Sequence, residues 1–127
     1  MKRMELKGKI NVEKGQIELQ VPLISFIDDN THIIYCPVLD LSGYGIDETE
    51  ARKSLDIVLE EYLTYTTNKG SLWNDLKKLG WIVKKNKQRK AIPPPISDLL
   101  ETNKEFNRIF NNYSFKKYST DISLPAA

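Results

Sequence analysis

The sequence predicts an α+β fold in which a small antiparallel sheet packs against one long helix. Three observations support this prediction. Apolar and polar residues alternate from residue 16, a segment with two glycines follows, and the longest amphipathic stretch of the chain comes next. With 127 residues, 40% of them hydrophobic and 28% charged, the composition is that of a folded domain with one modest core.

The sheet is predicted to begin with a β-hairpin. Residues 17–23 alternate between apolar and polar, and the apolar phase shifts by one position after Pro22. A bulge or an edge position of this strand would explain both the proline and the shift. Asp28, Asp29 and Asn30 have turn chemistry. Residues 31–39 then form the returning strand, and residues 41–46 a third, short strand.

A long helix is predicted to begin at Asp47. Asp47 and Glu50 have the spacing of a capping box, and apolar residues follow at helical spacing to about Thr67. Ser71 is predicted to cap a second, shorter helix that ends at Gly80, where a left-handed residue costs least. Residues 81–83 form a candidate strand.

Composition changes at residue 93, where three prolines begin, so we expect an α+β domain over residues 1–92 and an extension over residues 93–127. The extension is predicted to contain short helices from Ser97 and around Phe106. Residues 113–124 alternate loosely and indicate a strand. This tail has too few apolar residues for a core of its own, so it either wraps its own domain or reaches a neighbouring subunit. The residues we predict to mediate self-association are Tyr113, Phe115, Tyr118 and Ile122.

The strongest local charge feature is a basic run over residues 84–90, which contains Lys84, Lys85, Lys87, Arg89 and Lys90. These side chains would contact phosphates of a nucleic acid or an acidic partner, or would simply be solvated. A net charge of +2 is too small to indicate a nucleic-acid-binding domain by itself.

Candidate catalytic groups are few, and we predict that the protein is not an enzyme. Asp28 and Asp29 are consecutive turn residues, so they do not converge with Asp40 on a metal pair for phosphodiester cleavage. His32 is the only histidine, and it would need an orienting carboxylate, from Asp29 or Asp40, to act as a general base. We assign no catalytic, cofactor-binding or metal-binding residue. An unrecognised hydrolase that uses His32 or Asp40 remains the least favoured alternative.

Two features bear on location in the cell. No window approaches the roughly 18 apolar residues that a transmembrane helix needs. Cys36 is the only cysteine and lies within an apolar strand, which suits a reducing compartment. We therefore predict a cytoplasmic protein.

The segment from Tyr35 to Tyr62 resembles the HicB-like antitoxin family. Asp40, Leu41 and Gly43 match its Asp-Leu-Pro-Gly segment, with Ser42 in place of the proline, and Glu50-Ala51 match the start of its helix. The resemblance covers roughly residues 16–66. It implies a partial RNase H-like fold and a non-enzymatic, protein-binding role, typically the neutralisation of a small basic toxin that cleaves RNA.

The resemblance also implies a homo-oligomer, a dimer or larger. Many members of the family repress their own operon through a C-terminal DNA-binding domain, but residues 93–127 contain no convincing DNA-reading helix pair. A stand-alone relative with a different role for its tail fits equally well, and a nucleic-acid-binding protein that uses residues 84–90 is the alternative from another functional class.

Overall fold

The computed structural model of the protein describes residues 10–11, 16–84 and 90–125, and these have the α+β fold that the sequence predicts. The strands are β1 (Ile10–Asn11), β2 (Gln16–Asp28), β3 (Thr31–Cys36), β4 (Leu41–Gly45), β5 (Ile82–Lys84), β6 (Lys90–Ile92) and β7 (Phe115–Pro125). The helices are α1 (Glu48–Lys69), α2 (Leu72–Lys78), α3 (Ile96–Thr102) and α4 (Lys104–Asn112).

Strand β2 is the centre of an antiparallel sheet. One side of β2 pairs with β3 near its C-terminal end and with β1 near its start, and its other side pairs with β7 over eleven consecutive residues. Strand β4 continues the sheet beyond β3, whereas β5 and β6 form a separate two-stranded ribbon. The proline-led extension therefore folds back and contributes β7 to the same sheet.

The predicted hairpin between β2 and β3 is confirmed. Asp28 pairs with Thr31, and the two residues between them have positive φ angles, 49° at Asp29 and 62° at Asn30. These values are those of a type I′ turn, whose twist matches that of the flanking strands. Asp and Asn tolerate this left-handed backbone better than most side chains do, which explains the turn composition.

Pro22 lies within β2 without a bulge, because the register between β2 and β7 is unbroken from Gln16 to Phe26. The two-residue turn makes Asp28 and Thr31 a hydrogen-bonded pair, so even-numbered residues of β2 direct their backbone groups towards β3 and odd-numbered ones towards β7. At Pro22, β3 has already ended, so the missing N–H removes no ladder bond. The edge explanation is thus correct locally. The apolar phase shifts because residues 23–26 are buried on both faces of the sheet.

Helix α1 covers one face of the sheet, and α3 and α4 lie on the other. Ala51, Leu55 and Leu59 of α1 are fully buried. On the opposite face, the ring of Phe106 in α4 stacks on Tyr35 of β3 with their centroids 6.3 Å apart. The sheet is therefore the middle layer of three.

Capping residues define the ends of α1, as predicted. The Asp47 carboxylate accepts a hydrogen bond from the N–H of Glu50 at 2.8 Å, and the Glu50 carboxylate accepts one from the N–H of Ile46 at 3.2 Å. This second bond goes to the residue before the cap rather than to Asp47 itself. Gly70 ends the helix in the left-handed conformation with φ of 75°.

Three local predictions need correction. Ser71 precedes α2 but makes no capping bond with its side chain. Helix α3 begins at Ile96 after Pro95, two residues earlier than a cap at Ser97 would place it. Strand β6 was not predicted, since its three residues lie between the basic run and the prolines and show no alternation of their own.

The closest approach between α1 and the sheet occurs at Gly43 of β4. A Cβ atom there would lie 2.3 Å from the Leu55 nitrogen and 2.4 Å from the Ala51 oxygen, both backbone atoms. We expect Gly43→Ala to destabilise the protein by about 3 kcal/mol or more, because neither the strand nor the helix can move locally. Urea unfolding followed by circular dichroism measures this effect.

Gly70→Ala is the matched control for this substitution. Position 70 has open space around a Cβ but a positive φ, so the cost there is conformational only, about 1 kcal/mol. Equal costs at the two positions would show that the contact at Gly43 is not what limits the packing.

Candidate functional site

The predicted basic residues lie only partly within the described structure. Lys84 ends β5 and is exposed, and its cross-strand partner is Lys90, the first residue of β6. Lys85, Lys87 and Arg89 lie outside the described residues. The two ends of the basic run are therefore brought side by side on neighbouring strands.

The ribbon formed by β5 and β6 exposes apolar side chains on one face. Ile82 and Ile92 are directly paired across the strands and are 56% and 41% exposed. Val83 and Ala91, on the opposite face, pack against the core. Trp81, just before the ribbon, is buried and donates a hydrogen bond from Nε1 to the Val38 carbonyl at 2.7 Å. Its ring is thus part of the core and is not a surface on which bases stack.

The four residues predicted for self-association all contact their own chain. Ile122 is completely buried in the sheet face beneath α1. Tyr113 packs against Phe26 with ring centroids 4.9 Å apart, and Phe115 lies 5.4 Å from Phe110. Tyr118 is half-buried, and burial raises the pKa of its hydroxyl. These side chains hold β7 in place.

The sheet has two different outer edges. At β4, even-numbered residues direct their backbone groups outward, and α1 satisfies the N–H of one of them and that of the residue directly after the strand. The Tyr44 N–H donates to Ser54 Oγ at 3.1 Å, and the Ile46 N–H donates to Glu50. Side chains of α1 thus block the edge of β4 against another strand.

At the outer edge of β7, no comparable side-chain bond is seen among the described residues, although Asp121 on this edge is buried. Because even-numbered residues of β7 face β2, the odd-numbered ones from Phe115 to Ser123 direct their N–H and carbonyl groups outward. No strand in the described part of the chain pairs with this edge. Lys116, Lys117 and Ser119 are exposed along it.

The outer face of α1 carries a stripe of accessible residues, which we call the α1 stripe: Ile57, Glu60, Glu61 and Tyr65. Their spacing places them on one side of the helix, pointing away from the sheet. Ile57 and Tyr65 are 57% and 63% exposed. Among the described residues, no cation pairs with Glu60 or Glu61. Lys69 lies over the Tyr65 ring at one end of the stripe, 5.5 Å from its centroid.

His32 lies in a cleft of about 400 Å³ at one end of the sheet, lined also by Ser25, Glu48 and Lys116. Glu48 is paired with Lys116 at 3.4 Å. Asp40, one of the two carboxylates proposed to orient His32, is at the opposite end of β3. Within the described structure, no carboxylate forms an ion pair with His32.

Asp40 instead belongs to a polar cluster in which Tyr35 is buried, Asn103 is half-buried and Asp40 itself is exposed. The Tyr35 hydroxyl donates to Asp40 Oδ1 at 2.5 Å and accepts a hydrogen bond from Asn103 Nδ2 at 2.8 Å. Asn103 also caps α4 by accepting from the Phe106 N–H at 3.0 Å. Burial, and then the hydrogen bond to Asp40, raise the pKa of Tyr35 well above its usual range. The cluster ties β3 to the start of α4 beside a cleft of about 500 Å³.

Two further observations concern reactive groups. Cys36 is fully buried, and burial raises the pKa of its thiol to about 12, so it behaves as a small core residue. In residues 10–11, 16–84 and 90–125, no three His, Cys, Asp or Glu side chains are grouped so as to hold a metal ion.

Comparison of the chain with family models, with curated proteins and with solved structures gives no match. Among the described helices, none combines the length and the apolar character needed to cross a membrane.

We expect Tyr35→Phe to destabilise the protein by about 1–2 kcal/mol, since it leaves Asp40 and Asn103 without their shared partner. Tyr35 has a raised pKa in the folded state, so its contribution is complete below about pH 10 and is lost as the pH rises further. The stability of the variant should therefore fall less steeply above pH 10 than that of the unaltered protein.

Chemical unfolding at a series of pH values measures both effects. Tyr44→Phe, at an exposed tyrosine on β4, is the control and should leave the stability nearly unchanged. If the two variants behave alike, the cluster at Tyr35 does not stabilise the fold.

Proposed function

We propose that the protein is a non-catalytic, HicB-like protein-binding module that captures a small basic protein, in the manner of an antitoxin. The observation that carries this proposal is the α1 stripe. It combines two largely exposed apolar side chains with two carboxylates on a well-anchored helix. The inner face of this helix is buried, so the stripe is presented on a rigid support.

The composition of the stripe favours a basic protein partner. Ile57 and Tyr65 offer apolar contact area, and tyrosine is a residue type enriched in binding interfaces. Glu60 and Glu61 lie between them and would meet Lys or Arg side chains of the partner. Complementary charges of this kind speed association and select the partner more than they raise affinity.

The polar groups of the clefts support a binding role rather than catalysis. Tyr35 forms hydrogen bonds with both Asp40 and Asn103. These bonds connect β3 to the start of α4. His32 shares its cleft with Glu48, whose carboxylate contacts Lys116. Neither cleft places a nucleophile beside an oriented base, as acyl or phosphoryl transfer requires. The burial of Cys36 also suits the cytoplasmic location that we propose for this module.

The first experiment captures partners of the tagged protein from a lysate of its native cells, with and without nuclease treatment. A small basic protein retained in both conditions is then purified and tested for RNA cleavage alone and with the module added. We expect the module to suppress cleavage. The double variant Ile57→Ser/Glu61→Lys should bind this partner on the order of tenfold more weakly.

Ile92→Ser/Glu101→Lys is the matched control, because it makes the same two chemical changes at exposed positions on other elements. It should bind as the unaltered protein does. Equal affinity of both double variants for the partner would eliminate the α1 stripe as the binding surface, and a captured protein without RNA-cleaving activity would count against the antitoxin role.

A second candidate function is nucleic-acid binding through the basic run. It is favoured by the pairing of Lys84 with Lys90, which brings the two ends of the run together. The buried position of Trp81 counts against it, because stacking on bases needs an exposed ring.

Retention on an immobilised RNA or DNA column at increasing salt tests this alternative. Replacing Lys84, Lys85 and Lys87 by Ala should weaken retention and flatten its salt dependence. Replacing Lys77, Lys78 and Lys104, which are exposed on α2 and α4, removes the same charge elsewhere and is the control. If the unaltered protein is not retained, or if both triple variants weaken retention equally, the basic run has no specific role in nucleic-acid binding.

A further inference from the structure

We propose that the ribbon formed by β5 and β6 docks on the α1 stripe of a second copy of this chain. The two surfaces are complementary, since the ribbon combines exposed isoleucines with lysines and the stripe combines exposed apolar residues with glutamates. This inference does not rest on the proposed function, because it concerns the purified protein without any other partner.

The outward face of the ribbon is apolar at its base and basic at its tip. Strand residues two apart lie on the same face, so Lys84 shares the face of Ile82, while Val83 between them packs against the core. Across the ribbon, Ile92 pairs with Ile82, and Lys90 is in register with Lys84. The sequence from residue 82 to residue 92 contains no acidic residue. The ribbon therefore offers an apolar pair followed by a pair of lysine positions.

The α1 stripe supplies countercharges that are exposed and free of other ion pairs. Glu60 and Glu61 are both exposed, and no cation in the described part of the chain pairs with either. Lys84 is also exposed and has no ion-pair partner among those residues. Docking therefore brings opposite charges together without breaking an existing contact, and such complementarity selects the partner and its orientation.

The spacing between apolar and charged positions is nearly the same on the two surfaces. Two residues of a strand span about 6.6 Å, which separates the isoleucine pair of the ribbon from its lysine positions. Four residues of a helix span about 6 Å, which separates Glu61 from Ile57 and from Tyr65. When the lysines lie over the glutamates, the isoleucines therefore reach one of the apolar side chains of the stripe.

Lysines beyond both ends of the stripe exclude other placements of the ribbon tip. Lys53 is exposed one turn before Ile57, and Lys69 lies over the Tyr65 ring. A basic tip placed at either end would face a like charge, whereas the middle of the stripe carries two carboxylates. The charges thus position the tip over the centre of the stripe.

A second copy is the occupant that these surfaces fit. Within one chain the ribbon and the stripe are both exposed, so neither covers the other. Each copy carries one ribbon and one stripe, and two copies related by a two-fold axis make the same contact twice. An unrelated basic protein would gain only one such contact.

Analytical ultracentrifugation of the full chain and of two charge-reversed variants tests the proposal. We expect the unaltered protein to have a mass above that of a monomer. Glu60→Lys/Glu61→Lys and Lys84→Glu/Lys90→Glu should each be monomeric, because each variant places like charges at the contact. An equimolar mixture of the two should associate again, since every ribbon then meets a stripe of opposite charge. An unaltered protein that stays monomeric at high concentration, or a mixture that fails to associate, would overturn the proposal.

Matched controls reverse the same number of exposed charges elsewhere. Asp98→Lys/Glu101→Lys changes α3, and Lys77→Glu/Lys104→Glu changes α2 and α4. Both should associate as the unaltered protein does, and circular dichroism checks that all variants are folded. Equal loss of association in the controls would show that net charge, and not docking of the ribbon on the stripe, holds the copies together.

The apolar part of the contact is tested separately. Ile82→Ser/Ile92→Ser should raise the dissociation constant for self-association on the order of tenfold. Ile27→Ser/Ile46→Ser, at two other exposed isoleucines, should leave it unchanged. Unchanged association of the first variant would contradict docking through the ribbon.

This proposal and the proposed function can fail independently. Self-association is measured on the purified protein alone. Partner binding is measured below the concentration at which the copies associate, where the stripe is free and substitutions in the ribbon have no effect on it.

Discussion

The structure depends on the contact between the backbone of α1 and that of β4 at Gly43. A strand residue with any side chain would collide there with main-chain atoms of Ala51 and Leu55. Because the helix comes so close, its buried side chains reach the centre of the sheet, and Ser54 and Glu50 reach the backbone of β4. Gly45, where a Cβ would lie 2.5 Å from the Ala51 nitrogen, allows the same approach one turn nearer the start of the helix. The two glycines therefore govern both the packing of the core and the protection of one sheet edge.

Closing one edge leaves β7 as the long edge that the described structure does not cover. The strand is held from both faces. Ile122 and Leu124 are buried beneath α1, and Phe115 contacts Phe110 of α4 on the other side. The position of β7 is thus determined by side chains that pack on both faces of the sheet.

Much of the fold was predictable from local patterns. Alternation of apolar residues, the Asp-Asn turn and the capping pair at Asp47 and Glu50 act between neighbours in sequence, and the structure has a hairpin and a long helix at those places. Strand β6 was missed because it is defined by its pairing with β5 and has no pattern of its own. The shift in the apolar pattern after Pro22 was attributed in part to a bulge. A strand that is buried on both faces shows the same loss of alternation without any bulge.

The candidate sites, like the fold, were predictable from the sequence only in part. The sequence by itself determined which residue types were present: a basic run, an apolar helix face, a lone histidine and a buried cysteine. Only the tertiary structure decided that Asp40 bonds to Tyr35 rather than orienting His32, that Ile57 and Tyr65 remain exposed, and that β7 lies beside β2. The physical reason is that exposure and strand order depend on contacts between residues far apart in the chain. Tyr35 contacts Asn103 and Arg52 contacts Thr120, and no local sequence pattern indicates such contacts.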